Sequence, residues 1–110
     1  MDAPTLLGRP VPWLGKYVLR YSRVEIHRSA RRHRIGDADI RHAAEHPIVV
    51  VDLDAESDPS KVLAIGPDRA GNLLEVIILE LARDELLAIH AMPLRSAFYD
   101  LLPKGGDDDG

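Results

Sequence analysis

Three residues near the end of the chain have the types and spacing for proton transfer beside a phosphate: His90, Arg95 and Tyr99. Histidine exchanges protons near neutral pH, and the arginine fork donates two parallel hydrogen bonds to a phosphate. Tyr99 follows Arg95 by four residues, which on an α-helix puts both on one face as a clamp with a stacking or proton-donating partner. Metal-free phosphodiester cleavage needs such parts: a base or acid near the 2′-hydroxyl and leaving oxygen, and cations where charge develops. Each residue also has a plainer role. His90, between Ile89 and Ala91 in a strand, reads more readily as a solvated or structural histidine, and Arg95 and Tyr99 can cover a sheet edge with their apolar stems.

A second group is basic. His27 and Arg28 lie where a short strand meets a helix, Arg28, Arg31 and Arg32 share a helical face, and Arg69 sits in a glycine-bounded turn. These five are candidates for gripping RNA phosphates or an acidic protein segment. A solvated basic helix fits the same residues, and Asp68 and Gly71 already account for the turn around Arg69. Rings for base stacking are few: one Phe, one Trp and three Tyr.

One metal pattern needs weighing. His42-Ala-Ala-Glu45-His46 matches H-x-x-E-H, and histidines four apart share a helical face that can hold zinc. Pro47 stops that helix after about two turns, and a peptidase needs a further ligand-bearing helix and a substrate cleft. A metallopeptidase is therefore set aside, and no metal or cofactor is expected. No P-loop, dinucleotide glycine motif or nucleophile elbow is present.

The elements that must position these residues fit one domain of 110 residues. There are no cysteines, hence no disulfides or thiolate metal sites, as suits a reducing compartment. No apolar run approaches about 18 residues, and the proline-broken start lacks signal-peptide layout, so a cytoplasmic location is expected. The net charge of −4 conceals an asymmetry: residues 1–46 carry nine Lys and Arg against five Asp and Glu, residues 47–110 five against thirteen. A basic front half suits a nucleic acid or an acidic partner.

Residues 1–20 hold three prolines and read as a loose extension, residues 21–103 as a single α+β domain, and 104–110 as a disordered acidic tail. Alternation over 24–27 predicts a short strand, and 28–34 a basic helix stopped at Gly36. Asp37 then caps a second helix, 38–45, with Ile40, Ala43 and Ala44 as its buried stripe. The period then becomes extended. Strands are predicted over 48–53, 61–65, 73–81 and 86–91, joined by short polar turns as a four-stranded antiparallel meander. Pro93 breaks the last strand, and 94–102 gives a closing C-terminal helix.

The wording of these segments resembles the BrnT family of toxins. It lies in Arg32-His33-Arg34-Ile35-Gly36, the Asp-Ala-Asp-Ile helix ending at His46-Pro47, Leu63-Ala-Ile-Gly66, Gly71-Asn-Leu-Leu-Glu-Val76 and Ile89-His-Ala91. It covers roughly residues 24–102. The resemblance implies a RelE-like fold, RNA cleavage without a metal, and a cognate antitoxin protein as partner in a type II toxin–antitoxin system. Two departures bear on catalysis. Met92 stands where the family usually has an arginine after the last strand, and the charged closing helix is thinned to Arg95-Ser-Ala-Phe-Tyr99. They keep an alternative open: a non-catalytic interaction module with a toxin-like fold. The sequence specifies neither the RNA target nor the oligomeric state.

Overall fold

The computed structural model describes residues 24–54, 56, 58–82 and 85–103. The expected extension 1–20 and acidic tail 104–110 lie outside them. Among the described residues the architecture is α+β, built on a five-stranded mixed sheet. The strands are β1 (Glu25–Ile26), β2 (Val49–Asp54), β3 (Ser60–Pro67), β4 (Leu73–Glu80) and β5 (Leu86–Pro93). One α-helix, α1 (Asp37–Glu45), and two short 3₁₀ segments, Arg28–Arg31 and Ser96–Leu101, complete it. None of the described helices is long and apolar enough to cross a membrane.

The sheet order is β1-β5-β4-β3-β2. Strands β2 to β5 pair antiparallel in sequence order, because their connections are short and rich in turn residues. The turn between β3 and β4 shows how. The Asp68 carboxylate accepts from the backbone of Ala70 (2.9 Å) and Asn72 (2.8 Å), while Gly71 takes φ +93°, a conformation that favours glycine. Four strands alone do not make the sheet. β1 joins β5 in parallel, Glu25 opposite Leu87 and Ile26 opposite Ala88, a pairing between segments about 60 residues apart.

Two apolar layers sandwich the sheet. On one face α1 lays Ile40, Ala43 and Ala44 against Val62, Ala64, Val76, Ile78, Ala88 and Ala91. On the other, the segment after β5 brings Leu94, Phe98, Leu101 and Leu102 onto Val49, Leu63 and Ile65. Strand alternation makes the split, sending Leu74, Val76 and Ile78 to the helix side and Leu73 and Ile77 to the other.

Four local expectations are corrected. The basic helix over 28–34 is only the 3₁₀ segment Arg28–Arg31. His27 caps it through Nδ1, and the chain turns away at Arg34, whose φ of +66° no helix continues. The closing helix over 94–102 is 3₁₀ rather than α, over Ser96–Leu101. Strand β5 passes the predicted break and ends on Pro93 itself. Pro93 pairs only with Leu74, because β1 reaches no further than Ala88, so its missing N–H leaves no ladder position unfilled on that side. In α1, Gly36 rather than Asp37 holds the cap position. Asp37 instead accepts Nε and Nη2 of Arg31, both at 2.9 Å, which ties the 3₁₀ segment to the helix.

Candidate functional site

Within the apolar run Leu73-Leu74-Glu75-Val76-Ile77-Ile78-Leu79, one residue is charged. Glu75 lies on β4 with no exposed surface, on the face away from α1. A carboxylate in that position must have its oxygens satisfied or lose its charge. Both are satisfied. Oε1 accepts from the Arg95 backbone N–H at 3.0 Å and Nε at 3.2 Å; Oε2 accepts from Arg95 Nη2 at 2.7 Å and His90 Nε2 at 2.9 Å.

His90 reaches Glu75 only because β5 is irregular. Ile77 pairs with His90 and Ile78 with Ala88, which leaves Ile89 as an extra residue in the ladder. Regular alternation would put His90 on the α1 side with Leu86 and Ala88; the bulge resets the phase so that Ala91 joins that core and His90 faces the other way. His90 then lies diagonal to Glu75, two residues along the ladder from Met92, the residue directly opposite. The Ser29 hydroxyl donates to the carbonyl of Ile89 at 2.7 Å and holds the bulge from the 3₁₀ side.

Arg95 follows β5 directly, and its backbone N–H and side chain grip the same carboxylate. Its guanidinium stands 5.5 Å from the Phe98 ring centroid. A 3₁₀ segment has three residues per turn, so Phe98, not Tyr99, comes under Arg95. The α-helical clamp of Arg95 with Tyr99 is therefore not formed. Tyr99 is 55% exposed and lines an open cavity of about 440 Å³ with Asn72, Leu73, Pro93, Leu94 and Leu102.

Burial pushes the Glu75 carboxyl up, but the hydrogen bonds from Arg95 and His90 outweigh it and hold the group below the usual carboxylate range. A depressed folded value stabilises the fold fully above the unfolded value, about 4.3 for glutamate, and is lost as pH falls through the folded one. Glu75→Gln is thus expected to cost about 2 kcal/mol at neutral pH, the scale of hydrogen bonds to a charged group. Urea unfolding should show that deficit shrinking in acid. A deficit that stays constant down to acid pH would assign the loss to shape rather than charge.

The basic candidates divide. Arg69 donates from Nε (2.8 Å) and backbone N (3.0 Å) to Asp39, so it pins the β3–β4 turn to the start of α1 and holds the Asp39 carboxyl low. Arg31 is engaged by Asp37, and His27 caps the 3₁₀ segment. Arg28 and Arg32 are exposed, and neither forms an ion pair among the described residues. The basic segment nevertheless reaches the cluster through a residue not singled out from the sequence. The His33 ring stands edge-on to His90, centroids 5.6 Å apart at 76°.

Glu75 and His33 are thus the two participants that sequence reasoning missed. Glu75 had a signal, a lone carboxylate inside a buried strand; His33 had only its place in a basic run. No cluster of three or more metal-type ligands occurs among the described residues. No family model matches the chain, and no curated protein or solved structure matches it significantly.

Proposed function

We propose that the chain is a metal-independent ribonuclease with a RelE/BrnT-like architecture, the toxin of a type II toxin–antitoxin pair acting in the cytoplasm. The observation that carries this is the buried Glu75 carboxylate joining His90 and Arg95, two residues suited to proton transfer and phosphate binding. Because a carboxylate only accepts, His90 Nε2 carries the proton, and in the neutral ring the lone pair is on Nδ1. That nitrogen is the base that takes the 2′-hydroxyl proton. The 2′-oxygen attacks phosphorus, the bond to the 5′-oxygen breaks, and the leaving oxygen takes up a proton. His33, edge-on to His90, is the second imidazole for that step.

Arg95 is half exposed, with Nε and Nη2 held by Glu75, which leaves Nη1 for a phosphate oxygen. Exposed Arg28 and Arg32 lie in the same basic segment as His33. The same surface suits an acidic antitoxin. On this reading Tyr99, away from the cluster, is dispensable to the chemistry. Tyr99→Ala should keep cleavage within a few-fold of wild type, and a loss comparable to that of His90→Ala would restore it to the site.

A second reading is favoured by one feature: Glu75 neutralises Arg95, and Met92 sits directly across the ladder from Glu75 where the resembling family has an arginine. The cluster is then a structural ion pair in an interaction module. Controlled expression of the chain alone, following growth and total RNA together, separates the two. Arrest with RNA fragmentation supports the toxin; healthy growth with intact RNA at high soluble expression supports the module.

A further inference from the structure

The open cavity beside the 3₁₀ segment Ser96–Leu101 shares no residue with the Glu75 cluster, yet it lies on the same face of the sheet. Its lining is mostly apolar: Leu73, Leu94 and Leu102, with Leu94 held to β4 by its backbone N–H, which donates to the Leu73 carbonyl at 3.0 Å. Two residues add something other than apolar surface. Tyr99, at 55%, is the most exposed large hydrophobic side chain among the described residues, and no other ring or cation packs on it there. Asn72 donates from Nδ2 to Asp68 at 3.4 Å, and its side chain forms no other bond among the described residues. Its amide oxygen and second N–H are therefore open to a ligand.

We propose that this cavity is a subsite for one unpaired nucleobase of single-stranded RNA, stacked on Tyr99 and met at its edge by the Asn72 amide. The proposal rests on the ribonuclease reading of the neighbouring cluster. Position argues for it: Leu73 is two residues from Glu75 along β4, about 7 Å, and Leu94 directly precedes Arg95. A phosphate on Nη1 of Arg95 therefore has the cavity beside it, within reach of the base it carries. Chemistry argues for it as well. A free base offers a π face to the ring and both donors and acceptors to the amide, whereas an apolar side chain would leave Asn72 unused. A base inside a duplex is already stacked and paired, so the occupant comes from a single strand. Stacking tolerates every base, and the larger ring system of a purine covers more of the apolar lining than a pyrimidine does.

The test is fluorescence anisotropy of the full chain with a labelled tetra-adenylate whose riboses are 2′-O-methylated, beside the same probe made abasic. Neither probe has a 2′-hydroxyl free to attack, so binding is read without cleavage. The expected result is tighter binding of the adenylate than of the abasic probe. Tyr99→Ala, which folds because the ring is exposed, should lose roughly 5- to 150-fold for the adenylate and nothing for the abasic probe. Tyr99→Phe should keep wild-type affinity. The ring touches no reacting atom, so its loss raises KM and leaves the saturated rate of cleavage to the cluster. Equal affinity of wild type for the two probes, or wild-type affinity in Tyr99→Ala, would overturn the proposal and leave the cavity to an apolar side chain of a protein partner. Ring-dependent binding without RNA cleavage would sink the ribonuclease reading alone; cleavage without ring-dependent binding would sink the subsite alone.

Discussion

His90→Ala is expected to lower RNA cleavage by about 10²–10⁴-fold, the usual contribution of a positioned general base. The fold should survive the change. The ring is 23% exposed and hydrogen-bonded on one side only, and Arg95 still satisfies both oxygens of Glu75 when it is gone. Cleavage assays and thermal melts on the same preparation therefore separate chemistry from stability. A variant that melts like wild type yet cleaves at the wild-type rate would remove His90 from the mechanism.

Gly66→Ala has the opposite profile, a large loss of stability with no direct effect on the cluster. A Cβ at this position would overlap the carbonyl oxygen of Ala43 and stand 2.9 Å from that of His46. Both are backbone atoms, so no side chain can rotate away; α1 must move off β3. Overpacking of this kind costs about 3 kcal/mol or more, which in a domain of this size lowers the thermal midpoint by roughly 15 °C. Gly36→Ala is the matched control. Nothing lies within 4 Å of its added Cβ and its φ is −69°, so its midpoint should stay close to wild type. Equal midpoints for the two variants would mean that the helix does not rest on β3 as closely as described.

Much of the fold was legible because its signals are local. The stripe of Ile40, Ala43 and Ala44 and the β-branched run after Pro47 name their own periods, and Asp68 to Asn72 carries its turn chemistry within five residues. What escaped depends on distant segments. Nothing near Glu25 says that it pairs with Leu87, and nothing around Ile89 announces an extra residue held by Ser29. The bulge decides the face of His90, so its partnership with Glu75 could not be read from alternation alone. The two 3₁₀ segments are four and six residues long, too short for periodicity to tell three residues per turn from 3.6. That difference placed Phe98 rather than Tyr99 beside Arg95.

Glu75 was legible in principle. A carboxylate amid Leu73 to Leu79 costs too much to bury unpaired, and the nearest cations along the following hairpin include Arg95. A strand taken as one apolar block hides it.

The most direct test of the central claim is the chemistry of the RNA ends. Purified chain is incubated with a defined single-stranded RNA in excess EDTA, and the termini are identified by mass spectrometry. The account predicts fragments ending in 2′,3′-cyclic phosphate and beginning with 5′-hydroxyl, abolished in His90→Ala. RNA left intact by folded protein at equimolar concentration would contradict it, as would 5′-phosphate ends or cleavage that disappears with EDTA.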